Sequence, residues 1–410
     1  MTPKANHKAK HLIASILQHN IFDGLNKARK DFIISVLWHI LSIKGRINFL
    51  QLGRFSSYCE QTHRIHFEKE FDFFAFNKHL TEEIVSKDRI IAFDPSYIPK
   101  SGKLTYGRGR FWSGSAKATK PGLEIGGFAV VDVENNTAFH LKAWQTPGFD
   151  KPDAELFNLL SHYASLVTDN AKALKKISNY MVADAYFSKK PFVDKVLEAK
   201  LHFISRLRDD SVLFYKHYGK PTGKRGRPKK FEGRVNIYEL DTTIFEEEVC
   251  NDDLVIYTAL VYSKAFKRDI KLAVALFLKD GQEVARKLYF STDLQQQGNQ
   301  IVRYYRSRFQ IEFLYRDAKQ HTGLTHCQAR SENKLDFHFN ASLTAVNLAK
   351  FDWLSTKTVE KTPFSMANYK TFYNNALMLD QFICRFAINP NSIKNRKIVK
   401  ELLELGRIAA

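Results

Sequence analysis

Four residues in the C-terminal third constrain this 410-residue chain more than any others. Tyr305, Arg308, Glu312 and Lys319 stand in the pattern Y-x2-R-x3-E-x6-K, within IVRYYRSRFQIEFLYRDAKQHTGL. At about 100° per residue on an α-helix, offsets of three, seven and fourteen bring the four side chains into an arc of roughly 60°. One helix face would then carry an acid, two cations and a phenol. An acid flanked by cations on one line suits a group that holds a metal beside a phosphate backbone. The same line could be a solvated ion-pair stripe, the common fate of charged helix faces. Against that, Phe309, Ile311, Phe313, Leu314 and Ala318 spread round much of the same helix. A helix apolar on so many sides is expected to be mostly buried, its polar stripe lining a cleft. Glu312 then needs partners, which Arg308 and Lys319 supply.

Two earlier acids sit where strands are expected to end. In IIAFDPSYIPKSGK the apolar run stops at Asp94, and Pro95 is expected to end regular pairing. In NYMVADAYFSKK the run stops just before Asp184, with Ser188 placed to cap the next helix. A turn aspartate is the commoner explanation for either alone. Taken in chain order with Glu312, they suggest one site. Asp132 and Asp194 are rivals: Asp132 ends a strand expected further from the Glu312 helix, and Asp194 lies inside an expected helix. Three carboxylates without a His or Cys cluster suit a hard cation with oxygen ligands. Mg²⁺ fits, with Mn²⁺ able to substitute. Two ions, Asp94 touching both and Asp184 and Glu312 one each, would serve an in-line displacement by water or a 3′-hydroxyl.

Charge points to a partner. Lys and Arg number 63 against 43 Asp and Glu, a formal +20 with a pI near 9.6, so a polyanion such as DNA is expected. Residues 1–60 alone hold nine Lys or Arg against three acids. Cys59, Cys250, Cys327 and Cys384 lie far apart, which fits a reduced compartment and neither a zinc site nor a disulfide framework. FIISVLWHIL is too short to span a bilayer and no signal peptide is visible, so a cytoplasmic, nucleoid-associated protein is expected.

Residues 1–85 read as a helical DNA-binding region with apolar residues at three- and four-residue spacing. In NFLQLGRFSSYCEQTHRIHFEKEF, a short helix, a turn around Gly53 to Ser57 and a helix from about Cys59 make a helix-turn-helix. The second helix would display Gln61, Thr62, Arg64 and His66. Residues 86–206 change to strands RIIAFD, EIGGFAVVDV and TAFHLKAWQ, a helix in PDAELFNLLSHYASLV opened by Pro152 and capped near Asp153, strand NYMVAD, helix SKKPFVDKVLEAK and strand LHFISRL. Three strands, helix, strand, helix, strand match a ribonuclease-H-like α/β core, where acids at adjacent central strand ends converge. Residues 207–298 read as a mainly β insertion. Within it, Lys224, Arg225, Arg227, Lys229 and Lys230 make a basic loop suited to phosphate contact or to an A·T-rich minor groove. Residues 299–350 complete the core, and 351–410 form a C-terminal helical region that could pack on the body or on a second subunit.

The stripe, with FSTDL before it, RFQIE at its centre and RDAK and Gly323-Leu324 after it, resembles bacterial insertion-sequence transposases of the DDE class, in the branch named for its Tyr-Arg-Glu-Lys motif. The resemblance runs from about residue 45 to 350. It implies metal-dependent cleavage and strand transfer on double-stranded DNA, a homodimer on paired element ends, and phosphate contacts from Tyr305, Arg308 and Lys319. Some relatives hold a flipped base against an aromatic of the insertion, which can be a Trp. This chain has no Trp between Trp144 and Trp353, leaving Tyr289 or Phe290, both also suited to a strand core. Other readings are a different ribonuclease-H-like nuclease, such as a junction resolvase, or a silent transposase-derived DNA-binding protein or repressor.

Overall fold

The apolar N-terminal segments fold as α1 (Lys8–Ile16), α2 (Lys27–Ser42), α3 (Phe49–Phe55), α4 (Glu60–Phe67) and α5 (Phe73–Glu82). Asn26, Asn48 and Asp72 cap α2, α3 and α5, each side chain accepting from the backbone N–H three residues on. Where a helix-turn-helix was expected, two short helices, α3 and α4, are joined by a turn. Gly53 permits their close approach, since a Cβ there would lie 3.0 Å from the backbone nitrogen of Glu60. These coordinates come from a computed structural model describing residues 8–148, 158–217, 219, 229–356 and 363–408.

The next strands are β1 (Arg89–Pro99), β2 (Gly109–Ser113), β3 (Ala118–Asp132), β4 (Thr137–Gln145), β5 (Tyr180–Ala183) and β6 (His202–Leu207). Helices α6 (Leu159–Asp169), α7 (Ala171–Lys175) and α8 (Lys190–Glu198) connect the later ones. Spatial order is β4-β3-β1-β5-β6: β3 is antiparallel to β1 and β4, while β1, β5 and β6 run parallel. This mixed α/β sheet is consistent with a ribonuclease-H-like core. Side-chain alternation divides the interior into two layers. Ile91, Phe93, Phe128 and Val130 pack with α6 and α8, whereas Ile90, Ala92, Ala129 and Val131 join the layer of α2 and α5.

Several local expectations are corrected. β1 does not stop at Asp94; it continues through Pro95 and pairs with β3 as far as Pro99. Its β5 side is open beyond Phe93, where a residue without an N–H is tolerated. Asn158 caps α6, accepting from Leu160 and Ser161, while Pro152 and Asp153 lie outside the described residues. Ser188 does not cap α8; its hydroxyl donates to the Arg206 carbonyl and to Ser205 Oγ. Neither β2 nor α7 was expected from the sequence.

The insertion is mainly β: β7 (Leu213–Lys216), β8 (Phe231–Arg234), β9 (Glu246–Cys250), β10 (Leu254–Ser263), β11 (Arg268–Lys279) and β12 (Gln282–Ser291). It does not break the core sheet. β12 pairs antiparallel with β6, so twelve strands form one sheet and the core edge is covered.

Five helices follow: α9 (Gly298–Ser307), α10 (Gln310–His321), α11 (Glu332–Ser355), α12 (Met366–Arg385) and α13 (Ile393–Glu404). α11 is buried along most of its length and secures the edge of β4. Asn340 accepts from Ala143 N–H and donates to its carbonyl, and Asn347 does the same for His140. The match is geometric: seven helical residues rise about 10.5 Å, as do three strand residues. α13 packs on α12 without burying a residue fully. Among the described residues, no helix is long and apolar enough to cross a membrane.

Candidate active site

The β1–β5 register fixes the first two acids. Phe93 pairs with Ala183, so Asp94 and Asp184 are the next residues along two neighbouring parallel strands, whose spacing is about 4.8 Å. Glu312 comes from α10, which packs across β1, β3 and β4. Tyr315 ties this helix to β1 by donating its hydroxyl to the Asp94 carbonyl at 2.8 Å. Gly127, opposite Asp94 on β3, makes room for that contact, because a Cβ there would lie 2.3 Å from the Tyr315 oxygen.

The stripe is not one continuous helix face. The chain breaks between α9 and α10 at Arg308 and Phe309, where Arg308 N–H bonds to the Tyr304 and Tyr305 carbonyls and Glu312 N–H to that of Phe309. Two of these are tight three-residue bonds, and they interrupt the helix between Ser307 and Gln310. The ideal-helix arc therefore does not apply. Phe309, expected to help bury the helix, is 47% exposed at the break. The side chains converge all the same, because each is drawn to the strand acids. Tyr305 donates to Asp184 Oδ1 at 3.2 Å. Arg308 Nη2 lies 2.9 Å from Glu312 Oε1, and its Nη1 lies 3.8 Å from Asp94 Oδ1. Lys319 makes no hydrogen bond among the described residues but stands within the field of Asp94.

Two carboxylates thus share one guanidinium, and the charge of Asp184 also acts on it. Burial pushes the Asp94 carboxyl up to about 7; Arg308 pulls it down, and Glu312, Asp184 and Glu124 push it further up. Burial opposes the Arg308 charge, but Asp94, Tyr305, Glu312 and Asp184 outweigh that and raise its pKa. Burial lowers Lys319, with Asp94 acting the other way. Arg308 Nε and Nη1 are buried without a hydrogen-bond partner.

The donor set fits a hard divalent cation: three oxygen ligands, no competing nitrogen or sulfur, and more negative charge than Arg308 neutralises. As the side chains stand, no three Asp, Glu, His or Cys groups among the described residues close on one point to hold an ion. Arg308 draws Glu312 away, and Tyr305 engages Asp184.

The rival acids have other work. Asp132 is fully buried and accepts from Ser86 N, Ser86 Oγ, Asn135 N and Asn135 Nδ2. Asp194 pairs with Lys190 and Arg268, fastening α8 to the insertion. Two residues of the site escaped sequence reading. Tyr315 carries no signal in the sequence beyond its place on the helix. Glu124 on β3 is 6% exposed and hydrogen-bonds the Tyr163 hydroxyl beside the acids. Its signal was an acid inside the otherwise apolar run LEIGGFAVV.

On α4, Gln61 is exposed, and Arg64 is exposed with its Nη2 2.6 Å from Glu60. His66 is not free to reach a partner, since it stacks on Phe32 at 4.1 Å and bonds to Arg29. Lys224, Arg225 and Arg227 lie outside the described residues. Tyr289 is 5% exposed against Tyr305, and Phe290 is fully buried, so neither offers a face to a flipped base.

Residues 162–348 match the family model described as a transposase DDE domain, and residues 75–244 match one described as a DDE superfamily endonuclease. The two overlap around Asp184; the first extends to Glu312 and the second reaches back to Asp94. No curated protein matches the chain.

Proposed function

From two domain matches that support a transposase of the DDE superfamily, we propose that the protein is a DNA transposase of the Tyr-Arg-Glu-Lys branch. It binds the inverted-repeat ends of its insertion sequence, cleaves them and joins the 3′ ends to target DNA. The observation that carries this reading is the meeting of Asp94 and Glu312 at Arg308, with Asp184 at the end of the neighbouring strand and held by Tyr305.

Asp94, Asp184 and Glu312 would hold two Mg²⁺ ions, or Mn²⁺, with Asp94 shared. A divalent cation held by these residues would supply activation of the attacking oxygen and stabilisation of the leaving one. Arg308 does two things in turn. Without DNA its guanidinium holds the acids together. When a backbone phosphate arrives, the same fork grips it and releases the carboxylates. Tyr305 exchanges Asp184 for a phosphate oxygen in the same way, and Lys319 adds a point charge beside Asp94. Gln61 and Arg64 on α4 read or grip the element end, and Lys224, Arg225 and Arg227 add sequence-independent phosphate contact. Two ends need joint processing, so the working form is a homodimer on DNA, at the nucleoid in the cytoplasm.

The test is incubation with the inverted repeats flanking the gene and Mg²⁺, products being mapped to the nucleotide. Cuts at the element boundary with 3′ ends joined to target DNA are expected. Cleavage governed by branched structure rather than by end sequence would replace this reading with a resolvase. End binding without any cleavage would replace it with a silent DNA-binding descendant.

A further inference from the structure

The link between β1 and β3 is basic throughout. Residues 100–121 hold six Lys or Arg and no acid. Among the described residues no acid pairs with any of the six, and Lys100, Arg108 and Arg110 bond only to backbone carbonyls. Cations on an edge strand such as β2 can serve simply to deter pairing with other strands. Trp112 goes beyond that duty. It is 60% exposed on β2, and an edge guarded by charge has no use for an open indole.

Pairing sets where this surface points. Asp94 lies opposite Gly127 on β3, Arg110 opposite Pro121 and Trp112 opposite Thr119. Cross-strand partners share a face, and so do residues an even number apart along one strand. Arg110 and Trp112 therefore continue the face of the sheet that carries Asp94. Gly127 and Thr119 are eight residues apart on β3, which puts Trp112 about 25 Å from Asp94 along the strand, the length of roughly seven base pairs. Lys117 adds an exposed cation at the hairpin tip.

The root of the hairpin lies beside α4. Tyr106 N–H bonds to the Arg330 carbonyl at 2.9 Å, and Ser331, next to Arg330, donates to Glu68 just after α4. Arg46, exposed just before α3, and the exposed Arg330 both stand within the field of Lys100. Positive charge therefore runs on from the hairpin towards α3 and α4, as a track for a polyanion would.

We propose that the β2–β3 hairpin is a DNA arm. It lies on the element duplex about seven base pairs inside the cut, with Arg110 and Lys117 on phosphates and the Trp112 indole in the groove between them. The inference rests on the transposase reading for the identity of the duplex. It adds a contact that neither α4 nor the carboxylates supply.

The full-length protein in EDTA is titrated, over a range of salt, with a duplex that spans the element end and its flank, and the complex is footprinted with hydroxyl radicals. Protection centred about seven base pairs on the element side of the cut is expected. The double variant Arg110→Ala, Lys117→Ala should lose that protection, keep the rest of the footprint, and lower the slope of log affinity against log salt by about two. Trp112→Ala should cost about tenfold in affinity with the slope unchanged, and Trp112→Phe should retain most of it. An unchanged slope and footprint in the double variant, or loss of protection on the flanking side instead, would each overturn the arm. So would wild-type affinity in Trp112→Ala. Mg²⁺-dependent cleavage by the wild type is scored separately on the same DNA. Cleavage at the element boundary with a footprint that ignores the hairpin refutes the arm alone. Hairpin-dependent protection without cleavage refutes the transposase reading alone.

Discussion

The acids along β1 and its partner β3 live in opposite circumstances. Asp132, opposite Arg89 at the start of β1, has its lone pairs filled by four donors from Ser86 and Asn135. Asp94, five residues further along β1, receives no hydrogen bond on its carboxylate among the described residues and faces a guanidinium it shares with Glu312. Both are aspartates on paired strands within the same sheet. A saturated acid locks a turn and does nothing else. An acid left open, crowded by other acids and pushed up in pKa, is arranged for chemistry.

Substitution should separate the two kinds sharply. Asp94→Asn and Asp184→Asn are each expected to lower Mg²⁺-dependent strand cleavage by on the order of a thousandfold. Asp132→Ala should instead lower stability by about 3 kcal/mol, because buried donors lose their acceptor. A denaturant midpoint measures the second, and a cleavage assay on the folded variant should find little change. If Asp132→Ala abolished cleavage while the protein stayed folded, the distinction would collapse.

Arg308→Ala should weaken engagement of the cleaved end by about ten- to a hundredfold, and Arg308→Lys should not restore it, since a point charge lacks the fork. Full rescue by Lys would show that charge alone matters. A third expectation concerns pH. The folded-state Asp94 carboxyl is raised to about 7, above its unfolded value near 3.9. Ionising it therefore costs stability progressively from about pH 4, and the cost is complete above about pH 7. In EDTA, Asp94→Asn should be more stable than wild type at pH 8, by up to about 4 kcal/mol, and should lose that advantage near pH 4. A melting-temperature difference that does not grow with pH would contradict it. Smallest is Arg64→Ala on α4, expected to weaken DNA binding uniformly across sequences and to reduce the salt slope by about one. An unchanged slope would remove Arg64 from the phosphate contacts.

The sequence made some of this legible for physical reasons. Apolar runs ending in acids marked β1 and β5, and their neighbouring placement follows from the strand and helix order. The helical spacing in residues 8–85 marked the segments of α1 and α2 and the α3–α4 turn, while α5 was not separately marked. What escaped it depends on distant partners. The break at Arg308 carries no Gly or Pro; it arises where α9 and α10 settle on different strands. The passage of β1 through Pro95 is possible because β5 ends early, which no local pattern reveals. The union of the insertion with the core rests on pairing of β12 with β6, across some eighty residues of chain. The pairing of Asn340 and Asn347 with β4 likewise has no local signal, since it depends on that strand lying beside α11.

The most direct test of the central claim, that Glu312 completes the acid site while its neighbours grip DNA, is Glu312→Gln measured for footprint and cleavage on the same element ends with Mg²⁺. The substitution keeps shape and removes the charge. The account predicts an end footprint like that of wild type with no cleaved product. Cleavage at the wild-type rate would show that the site lies elsewhere.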